Sequence, residues 1–316
     1  MILDILLIIV GVALVLTGAD RLTEGASSLA RRMNMSELVI GLTIVAAGTS
    51  APELFVSVAS ALKGTPDLAV GNVVGSNIMN TLLIVGVTAM VAPMAISRTT
   101  VSKDIPFTVL ASVLLIILCM DGFGSLAIAG HVITRLDGLV LLLAFASFMV
   151  YTLSTAKQEQ EVATGKAMPI WKGFFWVVVG LAFLVIGSNV FVDSASAVAH
   201  KLNVSDSIIG LTIVAGGTSL PELATSVVAA RKGKSAIAIG NVIGSNVFNI
   251  LMILGLTATI SPMQIGGITL IDLSVMLVSM LMVWLFCFTR LTVARWEGAV
   301  LTLGYMAYAA WLLSQT

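Results

Sequence analysis

Two glutamates, Glu53 and Glu222, stand in long apolar runs, and each directly follows a proline, Pro52 or Pro221. Thr49 and Ser50 precede Glu53 by four and three residues, as Thr218 and Ser219 precede Glu222. On a helix these spacings share one face. An ionised residue at the centre of a spanning helix costs about 2.5–3.5 kcal/mol, so it needs a partner. No lysine or arginine lies deep in any apolar run, which leaves a proton or a cation. Pro52 and Pro221 lack the N–H that a regular helix would aim at the carbonyls of Gly48 and Gly217. Backbone broken at membrane depth is tolerated where it lines a cavity. Carboxylate, carbonyl and hydroxyl oxygens together make the donor set of a hard cation, and Ca²⁺ takes about six to eight of them. The hydroxyls could instead bond back to their own preceding turn. Two matched sets beside two glutamates favour a metal cation held between carboxylates that face each other mid-membrane.

The polar pattern continues in the next apolar run. Asn72, Ser76 and Asn80 are spaced by four, and Asn241, Ser245 and Asn249 repeat them. For Asn72 and Asn241 a site role and simple helix–helix bonding are equally open; Ser76, Asn80, Ser245 and Asn249 are expected at the site. Gly71 with Gly75, and Gly240 with Gly244, are small-xxx-small pairs that let helices approach closely. All of this belongs to one internal repeat. Gly41 to Pro93 returns as Gly210 to Pro262 at a constant offset of 169 residues, with 31 of 53 pairs identical.

The elements that must position these residues are membrane helices. The chain is 58% hydrophobic and 10% charged, with a mean hydropathy of +1.09, against about 25% charged residues in soluble domains. Ten apolar runs are long enough to span a bilayer: about 2–19, 36–60, 68–92, 104–121, 136–154, 173–190, 205–229, 236–260, 269–288 and 297–314. The first has Asp4 as its only early charge and no small-residue cleavage site, so it reads as a retained helix rather than a signal peptide. The polar stretch 155–172 is a linker between residues 1–154 and 173–316. Five helices per half is an odd number, so the second half enters the membrane from the opposite side. The expectation is an all-α integral membrane protein of two inverted five-helix repeats, an architecture that places its site at the repeat interface.

Under that plan thirteen of the 16 lysines and arginines fall on one side, and only Lys63, Arg135 and Lys201 on the other. The bias makes the first side cytoplasmic in a cell inner (plasma) membrane, with both termini on the opposite side. Zero net charge points to no nucleic-acid partner. Cys119 and Cys287 lie in apolar runs and His131 and His200 near run ends, outside any zinc motif. Asp20, Glu24, Asp193, Asp206, Asp121 and Asp272 sit near predicted helix ends, where caps or entrance charges explain them. No nucleophile–base pair marks an enzyme.

The paired GTSxPE and GNxxGSNxxN motifs resemble those of the cation/calcium exchanger superfamily, and within it the prokaryotic sodium/calcium antiporters of the sodium/calcium exchanger branch. That resemblance covers the whole repeat plan. It implies a diamond of ion sites for the transported ions Ca²⁺ and Na⁺, with no cofactor. Glu53 and Glu222 would bind Ca²⁺ and share in Na⁺ sites, and the carbonyls of Thr49 and Thr218 would complete the Ca²⁺ site. Ser50, Ser219, Ser76 and Ser245 would serve flanking Na⁺ subsites with the carbonyls of Ala46 and Ala215. Asn80 and Asn249 would occupy the middle. In the potassium-dependent branch an aspartate stands at the position of Asn249, so asparagine argues against K⁺ use. The GNxxE pattern of the proton-coupled branch is absent. The expected function is therefore Na⁺/Ca²⁺ antiport by alternating access. A H⁺-coupled or other divalent-cation exchanger is second and a cation channel third. All the oxygen ligands come from one chain, so a monomer suffices.

Overall fold

A computed structural model describes residues 1–120, 132–155, 168–202 and 215–314. Asp121, His131, Lys157, Lys166, Asp206, most of the linker and the first ten residues of the run expected at 205–229 lie outside the described residues.

Two helices form the longest pair, α1 (Ile2–Arg32) and α9 (Ile170–Lys201). At 1.5 Å per residue each is roughly 45–50 Å long, well beyond a hydrocarbon core of about 30 Å. The apolar runs at 2–19 and 173–190 mark only parts of them. Past residue 19, α1 stays helical because Leu22, Thr23 and Gly25 to Ala30 are buried against the rest of the protein, so tertiary packing replaces lipid. The two helices run antiparallel along glycines seven residues apart. A Cβ on Gly18 would lie 2.7 Å from the Gly180 carbonyl oxygen, one on Gly25 2.7 Å from that of Gly173, and one on Gly11 2.9 Å from that of Gly187. Only glycine permits this approach of backbone to backbone.

Between them the first half runs through α2 (Glu37–Ile40), a π turn (Gly41–Val45), α3 (Ala46–Thr49), α4 (Ala51–Leu62) and α5 (Pro66–Ile78). It continues through a second π turn (Met79–Ile84), α6 (Val85–Val91), a third π turn (Thr100–Asp104), α7 (Ile105–Cys119) and α8 (Arg135–Thr155). After α9 come α10 (Ala215–Thr218), α11 (Leu220–Arg231), α12 (Ser235–Val247), a π turn (Phe248–Ile253) and α13 (Leu254–Ile260). The chain then makes α14 (Leu270–Arg290) and α15 (Arg295–Ser314).

Among the described residues seven helices are long and apolar enough to cross a membrane, and the bent segment Glu37–Leu62, turned by 46°, makes eight. The helix Arg295–Ser314 is not one of these; Glu297, two glycines, two tyrosines and two tryptophans dilute its apolar run. The spans Pro66–Val91 and Ser235–Ile260 are the most enclosed, 78% and 94% buried over their most apolar window, against 22% for the corresponding stretch of α1. The two helices with the polar stripe thus form the centre, and α1 and α9 lie at the periphery.

Two tiny sheets close the ends. β1 (Met94–Ala95) pairs antiparallel with β4 (Thr292–Val293), and β2 (Val132–Ile133) with β3 (Met263–Gln264). Since α7 separates β1 from β2, the sheets sit at opposite ends. Of the charges read as caps or entrance groups, Asp272 is a cap, whereas Asp20 and Glu24 lie within α1 and Asp193 within α9, because both helices run past the ends of their apolar stretches. Asp272 and Thr269 make a reciprocal capping box at the start of α14, and the Tyr308 hydroxyl donates to Asp272 Oδ1 at 2.7 Å. Lys232 pairs with Asp20 at 2.5 Å and Glu24 at 3.4 Å. All three are partly exposed, so each pair is worth about 0–1 kcal/mol. Cys119 and Cys287 are buried free thiols.

Candidate ion-binding site

The break that the prolines require falls two residues before the prolines themselves. α3 ends at Thr49, Ser50 stands between helices, and α4 starts at Ala51 with Pro52 in its first turn. α10, Ser219 and α11 repeat the arrangement with Pro221. Proline is at home in a helical first turn, where its missing N–H would find no helical partner anyway. The breaks place Glu53 and Glu222 in the first turns of α4 and α11, where helix N-termini favour negative charge.

Both glutamates are 1% exposed. Each accepts from one serine of the opposite half and one of its own. Ser50 donates to Glu222 Oε1 at 2.9 Å and Ser219 to Glu53 Oε1 at 3.1 Å. Ser245 donates to Glu222 Oε1 at 3.3 Å, and Ser76 reaches Glu53 Oε1 at 3.5 Å and accepts from Ser219 at 3.3 Å. The shared helical face expected for Thr49, Ser50 and Glu53 is therefore corrected. The break at Ser50 turns its hydroxyl to the opposite glutamate. Thr49 turns away too, donating to Asn241 Oδ1 at 3.0 Å, with a longer contact to the Ala46 carbonyl at 3.4 Å. The Ala46 carbonyl takes the Ser50 N–H at 2.9 Å. Ala215 and Thr218 open and close α10.

Asn72 and Asn241 have a definite task. Asn72 Nδ2 donates to the Glu53 carbonyl at 3.2 Å and to Ser57 Oγ at 3.0 Å. Asn241 Nδ2 donates to the Glu222 carbonyl and Ser226 Oγ at the same distances. They clamp the backbone that carries each carboxylate. Asn80 and Asn249 lie deeper, each 1% exposed and each one residue into a π turn, a feature frequent at functional sites. Their partners are two residues the spacing did not single out: Asn80 Nδ2 donates to Asn246 Oδ1 at 3.0 Å, and Asn249 Nδ2 to Asn77 Oδ1 at 3.3 Å. The signal was present, because Asn77 and Asn246 are an identical pair at the 169 offset.

Four oxygens remain over. Glu53 Oε2, Glu222 Oε2, Asn80 Oδ1 and Asn249 Oδ1 are all buried without a hydrogen-bond partner among the described residues. A buried acceptor left unpaired costs about 1–3 kcal/mol, more if charged. Neither glutamate has an ion-pair partner among the described residues. Among those residues there is also no cluster of three or more His, Cys, Asp or Glu. A cation here would be held by two carboxylates and neutral oxygens, the mixture that suits Ca²⁺ or Na⁺ rather than a transition metal.

Residues 3–154 and 172–314 match the family model described as sodium/calcium exchanger protein. The chain belongs to that family. Membership in the sodium/calcium exchanger family makes it a multi-span membrane transporter of the cation/Ca²⁺ antiporter kind. It is 36% identical over 327 residues to the inner membrane protein YrbG of Escherichia coli (strain K12), covering 99% of this chain and 97% of that one. It is 33% identical over 343 residues to the sodium/calcium exchanger MaX1 of Methanosarcina acetivorans, covering 96% and 97%. Its fold superposes on the sodium-calcium exchanger NCX_Mj, soaked with Na⁺ and Ca²⁺, with a TM-score of 0.84, 30% identity and 98% of each chain covered.

Proposed function

We propose that the chain exchanges Na⁺ for Ca²⁺ across the membrane by alternating access, with the ions bound between Glu53 and Glu222. The observation that carries this reading is the set of four unpartnered buried oxygens, two of them carboxylate, contributed equally by the two halves. One divalent ion balances two carboxylates. Ser50, Ser76, Ser219 and Ser245, with the carbonyls of Ala46 and Ala215, supply the oxygens for Na⁺ beside it. The carbonyls of Thr49 and Thr218 complete the Ca²⁺ set, and Asn80 and Asn249 stand in the middle. The ions are cargo, and the mechanism calls for no cofactor.

The architecture proposed with it is ten spans in two inverted halves, 1–154 and 173–316, joined by a cytoplasmic linker at 155–172. Both termini lie on the non-cytoplasmic side, and a monomer suffices. Equivalent helices α1 and α9 pack antiparallel, which favours inversion. A difference in packing favours alternation. Gly75 is exposed, yet a Cβ on its counterpart Gly244 would lie 2.7 Å from both Ala46 Cβ and the Leu42 carbonyl oxygen. The two equivalent glycines thus differ in packing, a difference between the halves that alternating access calls for.

The test is Ca²⁺ uptake into proteoliposomes loaded with Na⁺, against matched vesicles loaded with K⁺, in pH-clamped buffer. Uptake with internal Na⁺ alone is expected. Equal uptake from both would remove Na⁺ coupling, and an imposed pH gradient would then separate a H⁺-coupled exchanger from a channel. Asn249→Asp, which adds a third carboxylate to the same cavity, is expected to insert normally and to change cation preference or pH dependence. A transport profile identical to wild type across Ca²⁺, Na⁺, K⁺ and pH would count against a central place for residue 249.

A further inference from the structure

The two asparagine pairs at the centre are built in an unexpected way. Two facing carboxamides can exchange two hydrogen bonds, each giving an N–H and each accepting one. Here each pair shows one bond of fixed direction. Asn80 donates to Asn246 and keeps its own Oδ1 unpartnered; Asn249 donates to Asn77 and does the same. Both bonds join opposite halves, and all four side chains are 2% exposed or less. If the pairs served only to hold helices together, reciprocal bonding would be the lower-energy choice. It would also spare two buried acceptors a penalty of about 1–3 kcal/mol each.

For the Asn77–Asn249 pair the direction is set from outside. Asn77 Nδ2 points to the Met276 thioether sulfur at 3.9 Å, a weak acceptor, which leaves Asn77 Oδ1 for Asn249. The π turns Met79–Ile84 and Phe248–Ile253 add to this. Asn80 and Asn249 lie inside the widened turns, while Asn77 and Asn246 lie in the α-helix before them. The members of each i, i+3 pair on one helix thus have different jobs, and their partners lie on the facing helix.

We propose that Asn77 and Asn246 are positioning residues for the transported cation. Each takes the amide N–H of the opposite half's central asparagine and so turns that asparagine's oxygen toward the ion. Without Asn246, the Asn80 amide is free to rotate and present its N–H, a donor that repels a cation, where its oxygen stood. The inference rests on the ion site proposed between Glu53 and Glu222.

The experiment reads Ca²⁺ affinity of the purified full chain, by calorimetry or Ca²⁺-dependent melting, together with the melting temperature in cation-free buffer. Asn246→Leu and Asn77→Leu fill the space without an acceptor and are expected to weaken Ca²⁺ binding about tenfold. Asn246→Asp and Asn77→Asp keep an accepting oxygen, add a negative charge near the cation, and are expected to bind Ca²⁺ no more than about threefold more weakly than wild type. They also serve where the leucine variants fail to fold: an Asp variant that folds but loses about tenfold overturns the proposal. Alanine double-mutant cycles give the fingerprint. Asn80 with Asn246, and Asn77 with Asn249, should be non-additive in Ca²⁺ affinity, while Asn77 with Asn80, neighbours on one helix, should add. A merely structural role would instead shift the cation-free melting temperature and leave affinity alone, and additive cycles across the halves would overturn the proposal. Wild-type protein that responds to neither Ca²⁺ nor Na⁺ would overturn the ion site itself, and this inference with it.

Discussion

Glu53→Gln or Glu222→Gln, reconstituted in vesicles, is expected to abolish Ca²⁺ exchange while the protein still inserts. Glutamine keeps the shape of the side chain and an oxygen for the crossing serine hydroxyl, so the bonds from Ser219 to Glu53 and from Ser50 to Glu222 have a substitute acceptor. What is lost is one of the two buried negative charges proposed to balance a divalent ion. Removing one partner of a buried charge pair typically costs about 3–5 kcal/mol, or roughly a 10²- to 10⁴-fold loss of affinity. Stability should move the other way. Without cations, wild-type protein holds two carboxylates at 1% exposure with Oε2 atoms that nothing satisfies. Each glutamine variant removes one such charge and should melt higher than wild type in cation-free buffer. It should also lose most of the melting rise that Ca²⁺ gives wild type, since a ligand stabilises only the fold it binds. The combination separates a lost site from a lost fold. Ca²⁺ transport retained in both variants would sink the assignment.

The membrane class, the repeat and the two glutamates could be read from sequence because each is a matter of residue type and interval. An acidic residue in an apolar run is conspicuous, and a constant offset of 169 residues survives any folding. Direction in space is harder to read. Thr49, Ser50 and Glu53 satisfy a helical face on paper, yet Ser50 sits in the break itself and serves the opposite carboxylate. A proline announces that a helix is interrupted and leaves the place of interruption to packing. The stripe Asn72, Ser76 and Asn80 shows the same limit. Counted by fours it is one face, but the π turn that opens at Met79 widens the helix just before Asn80 and brings Asn77 into the centre instead of leaving it as filler.

Glycine at the crossing of α1 and α9 carries the other large expected effect. Gly11, Gly18 and Gly25 recur every seven residues, as do Gly173, Gly180 and Gly187, a signal that the apolar-run count passes over because glycine is neither polar nor strongly apolar. In the structure the two series meet in reverse order. A Cβ on Gly180 would stand 2.6 Å from the Leu22 nitrogen and 2.8 Å from the Gly18 carbonyl oxygen. These neighbours are backbone, so no rotamer change relieves the clash and one long helix must shift against the other. Gly18→Ala or Gly180→Ala is therefore expected to destabilise the detergent-solubilised protein by about 1–3 kcal/mol, the usual penalty for overpacking, read as a lower melting temperature and a smaller monodisperse peak on size exclusion. The double variant should be less than additive, because both methyl groups enter the same contact and one shift accommodates both. Gly304→Ala is the matching control. It too lies in a long helix, but its Cβ would meet only Leu82 Cδ2 at 3.7 Å, ordinary contact distance, and its stability should stay within about 0.5 kcal/mol of wild type. If Gly180→Ala melts like Gly304→Ala, then α1 and α9 have room to slide apart and their close crossing is not what holds them.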